Sequence, residues 1–320
     1  MTKKEATASG RNATFLGEYS FAHYIRSMTD FRLHQPGIVG AGRVAQALAL
    51  ALRPQAIAPP LLWGRSPEKA RSAATSVDAV AEPNLDRLIA ACDLIIIAVA
   101  DDALTDVVSR MASALPATPS PFVFHVSGRS GAAILDPLGN AGAITAAIHP
   151  AMTFTGDPES EVGRMAGARF AITAATGEAI ERARHIVAAL GGVAVEIVEE
   201  RRALYHAALC HASNHLVTLV SGAARGLKDA GVDDPGALLA PLVRAALENS
   251  VAHGFAGLSG PLLRGDAQTI GDHLATLATD SPALLPAYVA MARATLNELE
   301  RRETSPSARL TALDSLLAVP

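Results

Sequence analysis

Gly37-Ile-Val-Gly-Ala-Gly-Arg-Val-Ala-Gln-Ala-Leu-Ala-Leu-Ala-Leu52 reads as the end of a short apolar strand, a glycine turn, and a helix rich in Ala and Leu. Within it, Gly40-x-Gly42-x-x-Ala45 has the spacing of a dinucleotide-binding turn. The first glycine permits the tight turn, the second lets backbone approach a pyrophosphate, and the small third residue lets the helix pack on the strand. The helix's first N–H groups and its positive end would hold the phosphates, so Gly40, Gly42, Arg43 and Val44 are candidate cofactor contacts. A glycine-rich loop before an ordinary helix is the plain alternative; a strand before and a helix after argue against it. Pro36 cannot donate to a ladder, so pairing is expected to start near Gly37 or to carry a bulge.

Working outward, Pro60-Leu-Leu-Trp-Gly64 is the second strand, and Arg65-Ser66-Pro67 follows it. Ser66 reads as an N-cap and Pro67 as the first helical residue. In NAD sites an acidic residue about 20 positions after the glycines binds the ribose hydroxyls. Arg65 and Ser66 stand there instead. A guanidinium beside a helix N-terminus suits a 2′-phosphate and favours NADP; a solvated loop charge is the plain reading of Arg65. Ser76-Val-Asp-Ala-Val80 is the best candidate for a third strand, and Asp93-Leu-Ile-Ile-Ile-Ala-Val-Ala100 is the clearest strand of all. Such a continuous β-branched run is what a parallel strand covered on both faces looks like. Ligands lie outside the carboxyl ends of such strands, which puts Val99 and Ala100 under the cofactor. Asp101 and Asp102 are expected to cap the helix Ala103 to Ala114.

Pro121 to Gly131 is a further strand and turn, and Ala143 to Ile148 another, ending in His149-Pro150. Both ends project toward one rim, which makes Ser127 a candidate against the cofactor and His149 against the substrate. Turn formation and structural hydrogen bonding are their plain alternatives. Phe170–Thr173, the helix Gly177 to Leu190 and Val193–Ile197 read as one more β-α-β unit. From Glu199 the pattern turns helical, at about 199–229, 236–253, 266–278, 282–302 and 307–317. Asp234-Pro235 and Ser281-Pro282 read as N-cap pairs, and Gly231 and Gly254 as helix ends.

The expected organisation is a tail over 1–30 without fixed structure, with a short helix near Tyr19 to Met28, then an α/β Rossmann-type dinucleotide-binding domain over 31–198. An all-α substrate and dimerisation domain follows over 199–320. Half of the 320 residues are hydrophobic, the net charge is −4, and basic blocks are absent, which argues against nucleic acid as a partner. No apolar run is long enough to span a bilayer, and the first 30 residues lack the apolar core of a secretory signal. Cys92 and Cys210 make neither a disulfide framework nor a metal motif. Together these features point to a soluble, cytoplasmic protein.

On the long helix, His206, Cys210, Ser213 and Asn214 share a stripe about 80° wide. Polar groups there would be costly if buried without partners, so the stripe should face a ligand, a wet cleft or an interhelix network. Asn214 and Ser213 can orient a carbonyl oxygen, and His206 can transfer a proton near neutral pH. His211 and His215, roughly opposite, have metal-pair spacing but no evident third ligand, so no metal is expected. Glu248-Asn249-Ser250 and Gly260-Pro261-Leu-Leu-Arg264-Gly265-Asp266 are later segments that could close a pocket; Asn249 and Arg264 are the substrate candidates, Arg264 for a carboxylate. Asp266 reads equally well as a helix cap.

Taken in order, several motifs resemble one bacterial family. They are Gly40-x-Gly42 with Arg65-Ser66, Asp93-Leu-Ile-Ile-Ile-Ala-Val, His125-Val-Ser-Gly128, Ile148-His149-Pro150-x-x-Thr-Phe154, Tyr205-His206 with Ser213-Asn214, and Gly260-Pro261-x-x-Arg264-Gly-Asp266. The likeness covers roughly residues 34 to 300. That family combines a Rossmann-like domain with a helical domain of unknown function. It is similar to pyrroline-5-carboxylate reductases and β-hydroxyacid dehydrogenases, and some similar proteins are an alternative type of ketopantoate reductase. The resemblance implies NADP binding and a homodimer through the helical half, and it does not fix the substrate. The first reading is an NADPH-dependent reductase of a small carbonyl acid, with 2-dehydropantoate in pantothenate synthesis as the leading candidate. A cyclic-imine reductase and a non-catalytic NADP-binding regulator are the alternatives. The chain departs from the pattern at Pro36 and lacks the Lys that many hydroxyacid dehydrogenases place on the reactive helix, where His206 stands nearby.

Overall fold

The structure is a computed structural model that describes residues 32–116, 120–302 and 308–318; the helix expected near Tyr19 lies outside them. The chain divides into two units, one up to Leu209 and one from Cys210 onward.

The first unit is built on an eight-stranded sheet in the order β3-β2-β1-β4-β5-β6-β7-β8. The strands are β1 (Pro36–Val39), β2 (Leu61–Trp63), β3 (Val80–Ala81), β4 (Leu94–Ile97), β5 (Phe122–His125), β6 (Ile144–Pro150), β7 (Arg169–Thr173) and β8 (Val193–Glu196). Strands β1 to β6 run parallel, β7 is antiparallel to β6, and β8 is parallel to β7. The order reverses between β1 and β4, which is the switch point where such sheets open a crevice. Helices α1 (Arg43–Leu52), α2 (Pro67–Ser76), α3 (Leu85–Ala91), α4 (Leu104–Ala114), α5 (Asp136–Asn140), α6 (Pro158–Met165) and α7 (Gly177–Ala189) accompany the strands.

Alternate residues of each central strand enter opposite cores. Ile38, Leu94, Ile96, Phe122 and Phe124 pack with α1 and α7, whereas Val39, Ile95, Ile97 and Val123 pack with α3 and α4. Both faces are covered, so these strands carry no polar alternation.

Several boundaries differ from expectation. Pairing with β4 begins at Pro36 itself, opposite Leu94, while pairing with β2 begins at Gly37, opposite Leu61. The alternation explains why proline is tolerated. Val39 accepts from Ala98 on the β4 side and Gly40 donates to Trp63 on the β2 side, so even-numbered residues face β2. The donor that Pro36 lacks would point to where β2 has not yet begun. The third strand is shifted: Ser76 ends α2, the buried Val77 is its C-cap, Asp78 turns the chain at φ 51°, and only Val80 of the expected stretch pairs. Asp101 and Asp102 cap nothing; they open a 3-10 turn, Asp101–Ala103, one residue after its N-cap Ala100. Helix α6 was not expected, although its Asp157 cap and Pro158 repeat the signal that marks Asp234-Pro235.

The second unit contains most of α8 (Arg202–Asp229), then α9 (Pro235–His253), α10 (Pro261–Arg264), α11 (Ala267–Asp280), α12 (Leu285–Arg302) and α13 (Ala308–Leu317). Its core joins Ile270, Leu296, Leu299, Leu310, Leu313 and Leu317. Asp234 and Asp266 cap α9 and α11 as read. Ser281 does not start α12. It is the C-cap of α11, a turn closed by Leu284 N–H on its carbonyl follows, and α12 begins at Leu285, where Pro286 fits the first turn. Among the described residues no helix is long and apolar enough to cross a membrane.

Candidate active site

A cleft of about 530 Å³ opens at the carboxyl ends of β1, β2 and β4. Gly40 makes the turn after β1 at φ 142°, and a Cβ there would overlap the Ala98 carbonyl oxygen, so only glycine lets these two strand ends approach. Gly42, the N-cap of α1, is different. Its φ of −81° suits any residue, and a Cβ would meet nothing within 4 Å. The space in front of it is open cleft. Helix α1 has no side-chain cap and no acid in its first turn. Its leading N–H groups are therefore available to an anion.

Gly40, Gly42, Arg65, Ser66, Val99 and Ala100 all line this cleft. Ser66 caps α2, accepting from Lys69 N–H at 3.3 Å. Arg65 and Lys69 are exposed at the rim. Lys69 escaped the sequence reading, although it is four residues after Arg65, on the first turn of the helix that Ser66 caps. Arg43 and Val44 point elsewhere: the Arg43 guanidinium donates to the Phe154 carbonyl at 3.3 Å, and Val44 packs on the core.

A second group of side chains gathers at the ends of β5 and β6. His125 is fully buried. Its Nδ1 accepts from Ser127 N–H at 3.1 Å, so Nε2 carries the proton and donates to the Gly131 carbonyl at 2.8 Å. Burial, reinforced by Arg202, pushes this imidazole down to about 4, and the ring stays neutral as a brace for the turn. The Ser127 hydroxyl accepts from Ser130 N–H at 3.1 Å, which makes it part of the same turn.

Among the described residues Arg202 is the largest fully buried side chain. It donates to the carbonyls of Ser127 (2.7 Å), Ser130 (3.0 Å) and Ala171 (3.3 Å), tying the β5 turn and β7 to the first turn of α8. Just before it, Glu199 accepts from Ala132 and Ala133 N–H at 2.7 and 3.4 Å. The Arg202 guanidinium also lies 5.6 Å over the Tyr205 ring. The Tyr205 hydroxyl is 2.9 Å from His149 Nδ1. His206 stands edge-on to His149, with ring centres 6.0 Å apart. A Cβ on Gly128 would lie 2.5 Å from His206 and 2.8 Å from His149, so glycine makes room for both rings. Burial first, then Arg202 and His206, bring His149 down to about 4, while burial raises Tyr205. Both are neutral at pH 7. Asp101, next in the chain after the cleft-lining Ala100, acts electrostatically on His125 and His149.

The fold thus brings Ser127, His149 and His206 together. Arg202, Tyr205 and His125 join them without having been singled out as site residues. Arg202 follows two acids in a solvated-looking run, and nothing local marks it as buried. Ser213, Asn214, Asn249 and Arg264 belong to the second unit. There Ser213 Oγ donates to Asn214 Oδ1 at 3.2 Å, and Asn214, Asn249 and Arg264 are exposed. His211 and His215 approach to 3.1 Å between Nδ1 atoms, but no group of three metal-ligating residues occurs among the described residues.

Comparison with known proteins agrees with this architecture. Residues 25–150 match the model of a Rossmann-like domain, and residues 168–295 match the model of a domain of unknown function, DUF2520. No curated protein matches by sequence. Among solved structures, a provisionally assigned NADP oxidoreductase from Bacteroides fragilis superposes with a TM-score of 0.69 at 22% identity, over 82% of this chain and 97% of that one. A reductive aminase from Aspergillus terreus, in complex with NADPH and ethyl-5-oxohexanoate, gives 0.59 at 16% identity, over 88% and 99%. The 1-pyrroline-5-carboxylate reductase of Streptococcus pyogenes gives 0.51 at 16%, over 90% and 98%. At these identities the likeness is one of fold.

Proposed function

We propose that this chain, which joins a Rossmann-like domain to a DUF2520 domain, is an NADPH-dependent reductase of a small carbonyl acid, with 2-dehydropantoate as the first substrate to test. One observation carries the reading. The open cleft before Gly42 receives the uncapped N-terminus of α1 and is rimmed by Arg65, Ser66 and Lys69, with no acid where NAD sites have one. The shape and charge fit a dinucleotide bearing a 2′-phosphate. When bound, its reduced nicotinamide supplies a hydride. The chain's own groups do the rest. The first N–H groups of α1 hold the pyrophosphate, and Arg65 with Lys69 takes the 2′-phosphate. The cluster of His149, Tyr205 and His206 provides the proton that a carbonyl oxygen needs once its carbon has taken the hydride.

A cyclic imine is the second candidate substrate, favoured by the fold shared with a reductive aminase and a pyrroline-5-carboxylate reductase. NADPH oxidation with a panel of keto acids and cyclic imines, starting with 2-dehydropantoate, separates the two. Tight NADPH binding without turnover on any of them would favour a regulatory nucleotide-binding protein instead.

The working form in this reading is a homodimer through the helical half. Leu238, Leu242, Leu247 and Val251 of α9 are 48–80% exposed, and Val217 of α8 is 67% exposed. Helices that bury so little of their apolar surface are stabilised by a partner, and a second copy is the simplest one.

A further inference from the structure

We propose that the Tyr205 hydroxyl, held by His149, is the group that donates the proton to the substrate oxygen, and that the buried Arg202 guanidinium is its counter-charge. The assignment rests on the reductase reading. It replaces His206, which the sequence suggested as donor.

Three observations point the same way. The hydroxyl has a hydrogen-bond partner at the site: His149, whose Nδ1 lies at 2.9 Å, is the next-to-last residue of β6 at the carboxyl rim of the sheet. Tyr205 is half-buried rather than sealed, so its hydroxyl can meet both the histidine and a ligand. Arg202 is a buried cation whose three hydrogen bonds all go to neutral carbonyls. Glu199 already acts electrostatically on this guanidinium, and a buried cation with no directly hydrogen-bonded acid further favours a group that becomes negative beside it during the working cycle. A tyrosinate, whose ring centre lies 5.6 Å from the guanidinium, supplies such a negative charge. Besides His149 and Arg202, the charged or titratable groups facing the pair are Asp101 after β4, His125 on β5, and Glu199 and His206 near the start of α8. Of these, Glu199 is engaged by two backbone N–H groups and His125 by the β5 turn. His206 stands 6.0 Å from His149, ring centre to ring centre, and flanks the pair.

The step balances. The carbonyl carbon gains the hydride, with its electron pair, and the C=O π pair moves to oxygen. That oxygen forms a bond to the Tyr205 hydroxyl proton as the phenolic O–H breaks. In the tautomer with its proton on Nδ1, His149 gives that proton to the tyrosinate oxygen while Nε2 takes one from water, and proton exchange with solvent then moves the ring proton back from Nε2 to Nδ1 before the next turnover. The sum is one hydride from NADPH and one proton from solvent per alcohol formed.

The test uses the full-length protein as wild type, Tyr205→Phe and His149→Gln. Tyr205→Phe should bind NADPH within about threefold of wild type. It should reduce a keto acid at least about a hundredfold more slowly in a single turnover, a general-acid loss. It should reduce a cyclic imine, which arrives already protonated, less than about tenfold more slowly. His149→Gln should slow keto-acid reduction and steepen its pH dependence. In 15N-histidine spectra the His149 Nδ1 resonance should move in Tyr205→Phe, reporting the lost hydrogen bond without any turnover. Keto-acid reduction by Tyr205→Phe within threefold of wild type, equal losses on ketone and imine, or an unmoved Nδ1 resonance each overturns the assignment alone. Wild-type protein that oxidises NADPH with no substrate of either class overturns the reductase reading, and this assignment with it.

Discussion

Replacing Gly42 by serine should separate folding from cofactor binding. The backbone there is extended, at φ −81° and ψ −176°, and a new Cβ touches nothing within 4 Å. The position is the N-cap of α1, where serine is at least as favourable as glycine, so stability should hold or rise by a few tenths of a kcal/mol. The new hydroxyl, however, would accept from the same first-turn N–H groups that we assign to phosphate oxygens, and its Cβ would occupy their space. Losing one charge-assisted hydrogen bond costs about 1.5–3 kcal/mol, which is roughly a 10- to 150-fold rise in the Kd for NADPH. Gly40→Ala is the control in the opposite sense. It forces φ 142° on a residue with a side chain and drives that side chain into the Ala98 carbonyl, so it should lower stability by at least about 2 kcal/mol. Urea unfolding and fluorescence titration with NADPH on both variants make the comparison. A Gly42→Ser protein that binds NADPH as tightly as wild type would mean that the phosphates do not lie on α1.

Three further outcomes follow from the same geometry. Arg202→Met should cost at least about 3 kcal/mol in urea unfolding, because carbonyls of Ser127, Ser130 and Ala171 lose their donor; a loss below about 1 kcal/mol would refute its role as the tie between β5, β7 and α8. Stability should fall as pH drops from about 6.5 toward about 4, where the histidine contribution is spent, and go on falling below that as Asp266 and Glu298, both held below the usual carboxylate range, are protonated. His125 and His149 are held near 4 in the folded chain and bind protons more readily when unfolded; a urea midpoint unchanged between pH 7 and pH 4.5 would contradict this. Leu242→Glu with Val251→Glu should turn a dimer into a monomer in light scattering, and a wild-type monomer at micromolar concentration would remove the dimer.

The sequence marks the features that are local and leaves unmarked those that depend on distant parts of the chain. Leu94–Ile97 and the glycine turn were legible because two covered faces and one tight turn each demand particular residues in consecutive positions. Ser66 was legible for the same reason, since a cap and its proline are neighbours. The tolerance of β1 for Pro36 depends on where β2 begins, some 25 residues on, and no local pattern carries that. The antiparallel β7 depends on α6 reversing the chain after β6. Arg202 and Tyr205 became site residues only because the first turn of α8 meets the ends of β5, β6 and β7. An arginine in a Glu-Glu-Arg-Arg run looks solvated until those carbonyls surround it.

Selectivity of the nucleotide site for the 2′-phosphate is tested most directly by fluorescence titration of NADPH and NADH against wild type and Arg65→Ala. NADPH should bind at least about tenfold tighter than NADH, consistent with a charge-assisted contact of about 1.5 kcal/mol or more, and Arg65→Ala should largely erase the preference. Equal affinity for the two nucleotides, a preference that survives Arg65→Ala unchanged, or no binding of either at millimolar concentration would contradict it.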